Sequence, residues 1–293
     1  MKAAYITPAI TLFKENGELD LESNGRLYEN LIAKGMDGVL VLGSIGEFFA
    51  LSLETRQRLA DYAVKKINRR TRLLIGTGSM VYEEVGAFSN ECLDKGADAV
   101  IVISPYYFPL DDRAAFDYYD RLAGEIHGPM YLYNFPDRTG YSLSPEVVRR
   151  LALKRPNIVG IKDTLPGMGH TRELIKRVKP ERPDFEIYSG FDDNLAANVL
   201  SGGDGCIAGL SNVFPEVCAA FADALRREDA LAIAQGQRAI DRLFDIYSIG
   251  SAFVPVIKEA ARLRGIVDGG VCTYPLPEVT EKERADIQRL LSL

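Results

Sequence analysis

The chain has 293 residues, enough for one large α/β barrel or two ordinary domains, and its 47% hydrophobic and 26% charged content is that of a soluble globular protein. A net charge of −6, without a basic patch or an arginine-rich arm, gives no reason to expect a nucleic-acid partner, and no apolar run is long enough to cross a bilayer. Cys92, Cys206, Cys218 and Cys272 show no CxxC spacing and are expected as small buried residues in a reducing compartment; His127 and His170, each beside a glycine, are expected at the surface, so neither a metal site nor a cofactor is anticipated.

The opening residues, Met1-Lys2-Ala3-Ala4-Tyr5-Ile6-Thr7-Pro8, lack the long apolar core and cleavage site of a secretory leader, so a cytoplasmic protein without a membrane partner is expected. Ala3–Ile6 reads as a first strand, followed by a helix that opens at Asp20-Leu21-Glu22 and closes at Lys34-Gly35. Gly38–Leu42 is a second strand, and Ser52-Leu53-Glu54-Thr55 approaches a capping box before a helix over Arg56–Ile67. Further strands follow at Leu73–Gly76, Ala99–Ile103, Met130–Tyr133, Ile158–Lys162, Phe185–Ser189 and Gly205–Ala208, spaced by roughly 20–35 residues, which suits a strand plus its crossover helix. Proline stands at the first helical position in Ser144-Pro145-Glu146. After Ser211 only helical patterns remain, over Pro215–Arg227, Asp229–Tyr247, Phe253–Leu263 and Thr280–Leu291. Eight strands, each with a helix, predict an α/β fold of the (β/α)8 TIM-barrel type with a C-terminal helical extension, divided as a catalytic barrel at 1–225 and an extension at 226–293. An open doubly wound sheet would usually carry GxGxxG after its first strand, where this chain has Thr7-Pro8.

A barrel places its chemistry at the carboxyl ends of the strands. Lysine at the end of Asn157-Ile158-Val159-Gly160-Ile161-Lys162-Asp163-Thr164 is unexpected, because lysine is rarely buried unless it is paired or used. Alternation puts Ile158, Gly160 and Lys162 on one face, with Gly160 expected to leave open space beside the ammonium. A desolvated lysine loses its charge more readily and becomes the amine that Schiff-base chemistry on a ketone needs; the plain alternative is a lysine that reaches solvent or pairs with Asp163. Gly43-Ser44-Ile45-Gly46-Glu47 offers successive N–H groups and the Ser44 hydroxyl to a carboxylate or phosphate, or is an ordinary strand-to-helix turn. Tyr133, on the strand before Lys162, is placed to hand protons to an amine, or is a core tyrosine. Arg138 is a candidate clamp for a second carboxylate, or a surface arginine. Of Asp192 and Asp193, one is expected to cap a helix and the other to accept from substrate hydroxyls.

With these residues in place the chain resembles the dihydrodipicolinate synthase/N-acetylneuraminate lyase family of class I pyruvate aldolases along its whole length. The most specific segments are Tyr133-Asn134-x-Pro136-x-x-Thr139-Gly140 and Gly160-Ile161-Lys162, supported by Gly43-Ser44-x-Gly46-Glu47. The resemblance implies that Lys162 forms a Schiff base with pyruvate or a 2-oxo acid, that Tyr133 shuttles protons with Ser44, and that Ser44 and Ile45 bind the pyruvate carboxylate. It implies a homotetramer in which Tyr107 reaches a neighbouring subunit's site, and substrate contacts from Gly190, Asp192 and Ile207. Within the family, Ile45 departs from the synthase turn, which carries two threonines, while Arg138 matches the arginine with which synthases hold an aldehyde's carboxylate. Ser189-Gly190-Phe191-Asp192-Asp193 is similar to the sugar-acid lyases, and Tyr133-Asn134-Phe135-Pro136-Asp137 with Ile161-Lys162-Asp163-Thr164 to 2-keto-3-deoxygluconate aldolase-type members. Leu53, Arg56 and Met80 depart from the inhibitory-lysine pocket of regulated synthases. The reading is a lyase that cleaves a 2-oxo acid to pyruvate and an aldehyde. The alternatives are a synthase condensing pyruvate with aspartate semialdehyde and a non-catalytic binding protein on the same barrel.

Overall fold

The computed structural model describes residues 1–292. In chain order the elements are β1 (Ala4–Pro8), α1 (Leu21–Ala33), β2 (Gly38–Val41), α2 (Leu53–Ile67), β3 (Arg72–Gly76), α3 (Tyr82–Lys95), β4 (Ala99–Ile103), α4 (Asp112–Glu125), β5 (Met130–Asn134), α5 (Pro136–Thr139), α6 (Pro145–Lys154), β6 (Ile158–Asp163), α7 (Gly169–Val178), β7 (Glu186–Ser189), α8 (Leu195–Leu200), β8 (Gly205–Ile207), α9 (Pro215–Arg226), α10 (Ala230–Phe244), α11 (Phe253–Leu263) and α12 (Glu281–Leu291). The strands form a closed barrel in sequential order, as the sequence predicts. Covered parallel strands have no wet face, which is why β4 reads Ala-Val-Ile-Val-Ile without polar alternation and is buried throughout. Among the described residues no helix is long and apolar enough to cross a membrane.

The chain divides into two compact units. The first comprises Met1–Ala4 and Leu74–Ile207 and holds β4 to β8. Its register sets two kinds of row. Val102, Leu132, Ile161 and Ile187 align on one face and are fully buried, while Ile103, Tyr133, Lys162 and Tyr188 align on the other. Helices α3, α4, α6 and α7 contribute Phe88, Leu122, Leu151 and Leu174 to the buried apolar core. Ser144 caps α6 by accepting from the Val147 N–H at 3.3 Å, with Pro145 at the first helical position where a missing N–H costs nothing. The short helix α5 stands where the sequence suggested only a strand-end loop.

The second unit comprises Tyr5–Leu73 and Ala208–Leu293. In it β1 and β2 pair in parallel through Ile6–Gly38, Thr7–Val39 and Pro8–Leu40. Asp20 caps α1 by accepting from Ser23 N–H at 3.0 Å, and Ser52 caps α2 from Thr55 N–H at 3.2 Å. The helix expected over Asp229–Tyr247 is α10 followed by a 3-10 turn at Asp245–Ser248. Thr280 and Glu283 form a full capping box at the start of α12, satisfying two N–H groups that would otherwise face water.

Candidate active site

Lys162 is the penultimate residue of β6, 4% exposed, on the row that carries Tyr133 and Tyr188. Its ammonium lies 4.5 Å from the centre of the Tyr133 ring. The contact is of the cation–π kind, with the nitrogen over the face of the ring. Tyr133 stacks on Phe135 with centroids 5.9 Å apart, and the Arg138 guanidinium sits 5.1 Å from the Phe135 ring. Arg138 is exposed and makes one hydrogen bond of 3.3 Å, to the Asp137 carbonyl. The β5 and β6 strand ends thus line up Lys162, Tyr133, Phe135 and Arg138 in order from buried to exposed.

One sequence expectation fails at Gly160. Its missing side chain does not leave open space beside the ammonium. A Cβ there would lie 2.5 Å from Tyr131 Cε1 and 2.5 Å from the Glu186 carbonyl oxygen, so the Tyr131 ring occupies the gap. The pairing shifts by one residue between Met130 and Tyr131, which sets Tyr131 opposite Gly160. Below Lys162 the Tyr131 and Tyr188 hydroxyls both donate to Glu186 Oε2, the latter at 3.0 Å.

A second correction concerns His170, whose side chain is 16% exposed rather than at the surface. Alternation turns Asp163 away from Lys162, so the plain pairing of the two is also excluded by the fold. The Asp163 carboxylate instead accepts from Asn134 Nδ2 at 2.8 Å, Thr171 Oγ1 at 2.7 Å and His170 Nδ1 at 3.0 Å. Burial alone would lower the His170 pKa, but the Asp163 hydrogen bond and charge and the Leu143 carbonyl outweigh it and raise the group above its ordinary 6.5. His127 does lie outside, against Asp94 at 3.0 Å.

Beyond β6, Thr164 is buried and its hydroxyl has no hydrogen-bond partner. Such a group is costly unless something fills its capacity. A Cβ on Gly190 would fall 1.9 Å from that oxygen, so glycine is required for the two strand ends to sit side by side. Sequence reasoning missed Thr164; its position two residues after Lys162, on the same face, was the available signal. Asp192 is buried in a 3-10 turn ahead of α8, whose cap position is Asn194, so neither Asp192 nor Asp193 caps that helix. Ile207 is fully buried at the end of β8. Tyr107 is 78% exposed and packs edge-on against the exposed Phe108, with centroids 5.0 Å apart.

In the second unit, Ser44–Gly46 forms a 3-10 turn after β2, with Ile45 buried and Ser44 partly exposed. Thr11 Oγ1 donates to the Gly46 carbonyl at 2.7 Å. Glu47 ends the turn in the left-handed region at φ 59°, and its side chain has no exposure. Glu47 Oε2 accepts from the N–H and hydroxyl of Thr273 at 2.7 and 2.8 Å, and Oε1 meets the ammonium of Lys258, which is itself fully buried. Lys258 also donates to the Val271 carbonyl at 2.7 Å and lies 4.7 Å from the Phe13 ring centre. In the sequence Glu47 reads only as an acidic residue near a helix start, and its buried ion pair with Lys258 is visible only in the fold. Among the described residues no cluster of three or more His, Cys, Asp or Glu side chains is arranged to hold a metal ion.

The model of the dihydrodipicolinate synthetase family matches residues 1–293. The chain is 37% identical over 290 residues to the probable 2-dehydro-3-deoxy-D-pentonate aldolase YjhH of Escherichia coli (strain K12), covering 99% of this chain and 96% of that one. The crystal structure of YagE, a prophage protein of the dihydrodipicolinic acid synthase family from E. coli K12 in complex with pyruvate, is similar with a TM-score of 0.96 and 36% identity, covering 99% of this chain and 97% of that one. Identity to a 4-hydroxy-tetrahydrodipicolinate synthase of Kosmotoga olearia is 38% over 213 residues, 73% of this chain and 70% of that protein.

Proposed function

The chain belongs to the dihydrodipicolinate synthetase family, and from that premise we propose that it is a class I lyase that reversibly cleaves a 2-keto-3-deoxy sugar acid to pyruvate and an aldehyde. The observation that carries the reading is Lys162, a lysine 4% exposed at the carboxyl end of a barrel strand with its ammonium against the Tyr133 ring. As the free amine, Lys162 attacks the ketone carbon of the 2-oxo acid, and loss of water gives an iminium. The proton of the C4 hydroxyl departs as the C3–C4 bond breaks. That electron pair moves into the iminium to leave an enamine, and the aldehyde is released. Protonation at C3 and hydrolysis then return pyruvate and free Lys162. Tyr133, with Ser44, is assigned the proton transfers.

The substrate carboxylate is assigned to the turn at Ser44 and Ile45, where the Ser44 hydroxyl and backbone N–H groups are the donors, since Ile45 has none in its side chain. Gly190, Asp192 and Ile207 are assigned to the rest of the chain of the substrate. Tyr107, exposed beside Phe108, is assigned to an interface within a homotetramer. A cytoplasmic location, a catalytic barrel over 1–225 and a helical extension over 226–293 complete the proposal.

Arg138 supports a second reading, a synthase that condenses pyruvate with aspartate semialdehyde, because its exposed guanidinium suits an aldehyde bearing a carboxylate. The two are separated by kcat/KM. Cleavage of the sugar acid is expected to be the more efficient reaction, and Asp192→Ala to impair it more than Arg138→Ala. Efficient condensation that Arg138→Ala destroys and Asp192→Ala leaves intact would establish the synthase instead.

A further inference from the structure

Asp163 sits beside Lys162 in sequence and behind it in space. The rung of the sheet that pairs Tyr133 with Lys162 is followed by a last rung that pairs Asn134 with Asp163. Past that rung the chains part, β5 into α5 and β6 into the segment before α7. A terminal rung frays unless something other than the ladder holds it.

Here side chains hold it. Asn134 Nδ2 donates to Asp163 Oδ1 at 2.8 Å, and Asn134 Oδ1 accepts from the Leu143 N–H at 2.9 Å. Thr171 Oγ1 donates to Asp163 Oδ2 at 2.7 Å from the first turn of α7. The Thr164 N–H reaches the Asn134 carbonyl and the Gly190 N–H reaches the Asp163 carbonyl, both at 2.9 Å. His170 closes the cluster. Its Nδ1 faces both Asp163 oxygens at 3.0 Å and its Nε2 faces the Leu143 carbonyl at 2.9 Å. A neutral imidazole has one N–H, so facing two acceptors calls for the imidazolium. The Asp163 side chain has no exposure. A carboxylate so placed is costly, and a sheet end does not itself require one.

We propose that Asp163 and His170 are positioning residues for proton transfer between Tyr133 and Lys162. Their ion pair, with Asn134 and Thr171, locks the ends of β5 and β6 so that the rung carrying the two reacting side chains keeps its alignment. The inference rests on the Schiff-base reading of Lys162. Displacement of reacting groups by about 1 Å typically costs on the order of a hundredfold in rate.

The test is a double-mutant cycle on kcat. Asp163→Asn is expected to lower kcat by roughly ten- to a hundredfold while KM for the 2-oxo acid stays within about threefold. In a Tyr133→Phe background, where the aligned proton transfer is already lost, the same change is expected to cost less than about threefold. His170→Gln and Thr171→Val remove single contacts of the cluster; if Asp163→Asn does not fold, they are read in the same cycle, with a smaller loss in the Tyr133 background and none in Tyr133→Phe. Equal losses in both backgrounds, or a lowered unfolding midpoint with unchanged kcat, overturn the inference and leave a structural role. Borohydride trapping of pyruvate by the wild-type protein is measured alongside. A wild-type protein that traps none overturns both this inference and the lyase reading, whereas normal trapping with additive losses overturns this inference alone.

Discussion

The buried pair of Glu47 and Lys258 allows the sharpest stability prediction. Lys258→Met keeps most of the side-chain stem and removes the ammonium. Glu47 Oε1 then loses its counter-charge, and no other donor reaches that oxygen. Oε2 keeps both Thr273 bonds, at 2.7 and 2.8 Å. The Val271 carbonyl loses its 2.7 Å donor. Removing one partner of a buried pair typically costs about 3–5 kcal/mol. The two surviving bonds to Oε2 place the expected loss near the lower end, about 3 kcal/mol, including about 1 kcal/mol for the orphaned carbonyl. Adding Glu47→Gln removes the uncompensated charge while the amide oxygen still accepts from Thr273. The double variant is therefore expected within about 1 kcal/mol of the single-variant-free protein. Urea unfolding, followed in both directions to establish reversibility, gives the three differences from the midpoints. A loss below about 1 kcal/mol in Lys258→Met, or a double variant at least as unstable as the single one, would refute the idea that the uncompensated charge is what hurts.

Gly160→Ala is expected to lose about 1–3 kcal/mol of stability and much of its activity, because the new Cβ would lie 2.5 Å from a backbone carbonyl that cannot rotate away; retained stability and kcat would show that the strands part freely. His170 has a folded pKa above its ordinary 6.5, so its stabilising contribution is complete below about pH 6.5 and is lost as pH rises through the folded value. Unfolding midpoints across that range should fall in the wild-type protein more steeply than in His170→Gln, and parallel profiles would contradict the charged assignment. Cys272 is only half-buried, unlike the buried Cys92, Cys206 and Cys218, yet burial, the largest influence, pushes its thiol up to about 11, so native protein near neutral pH should resist alkylation there, and rapid labelling without unfolding would count against that shift.

The strands were legible because a covered parallel strand must be an apolar, β-branched run closed by turn residues, and β4 and β6 are such runs. Lys162 was legible for the converse reason, a charge where the pattern allows none. Pairing of Lys162 with Asp163 stood as the plain alternative in the sequence, and only the fold shows Asp163 turned instead onto Asn134, His170 and Thr171. What was hidden depends on register and on distant segments. Tyr131 fills the gap at Gly160 only because the pairing slips by one residue at Met130. His170 reads as a loop residue beside glycine until α7 is seen to start there and carry it onto Asp163. Glu47 and Lys258 meet across most of the chain's length, and no local pattern signals that contact. Thr164 is an ordinary threonine in the sequence and an unpartnered buried hydroxyl in the fold.

The central claim is that Lys162 is the amine that forms the carbon–nitrogen bond. Incubation of the protein with pyruvate and borohydride, followed by peptide mass analysis, tests it most directly. The account predicts irreversible loss of activity with one reduced adduct, located on the peptide that carries Lys162 and absent from Lys162→Ala. An unmodified Lys162 peptide from fully exposed protein, or an adduct on another lysine with activity lost in step, would contradict it.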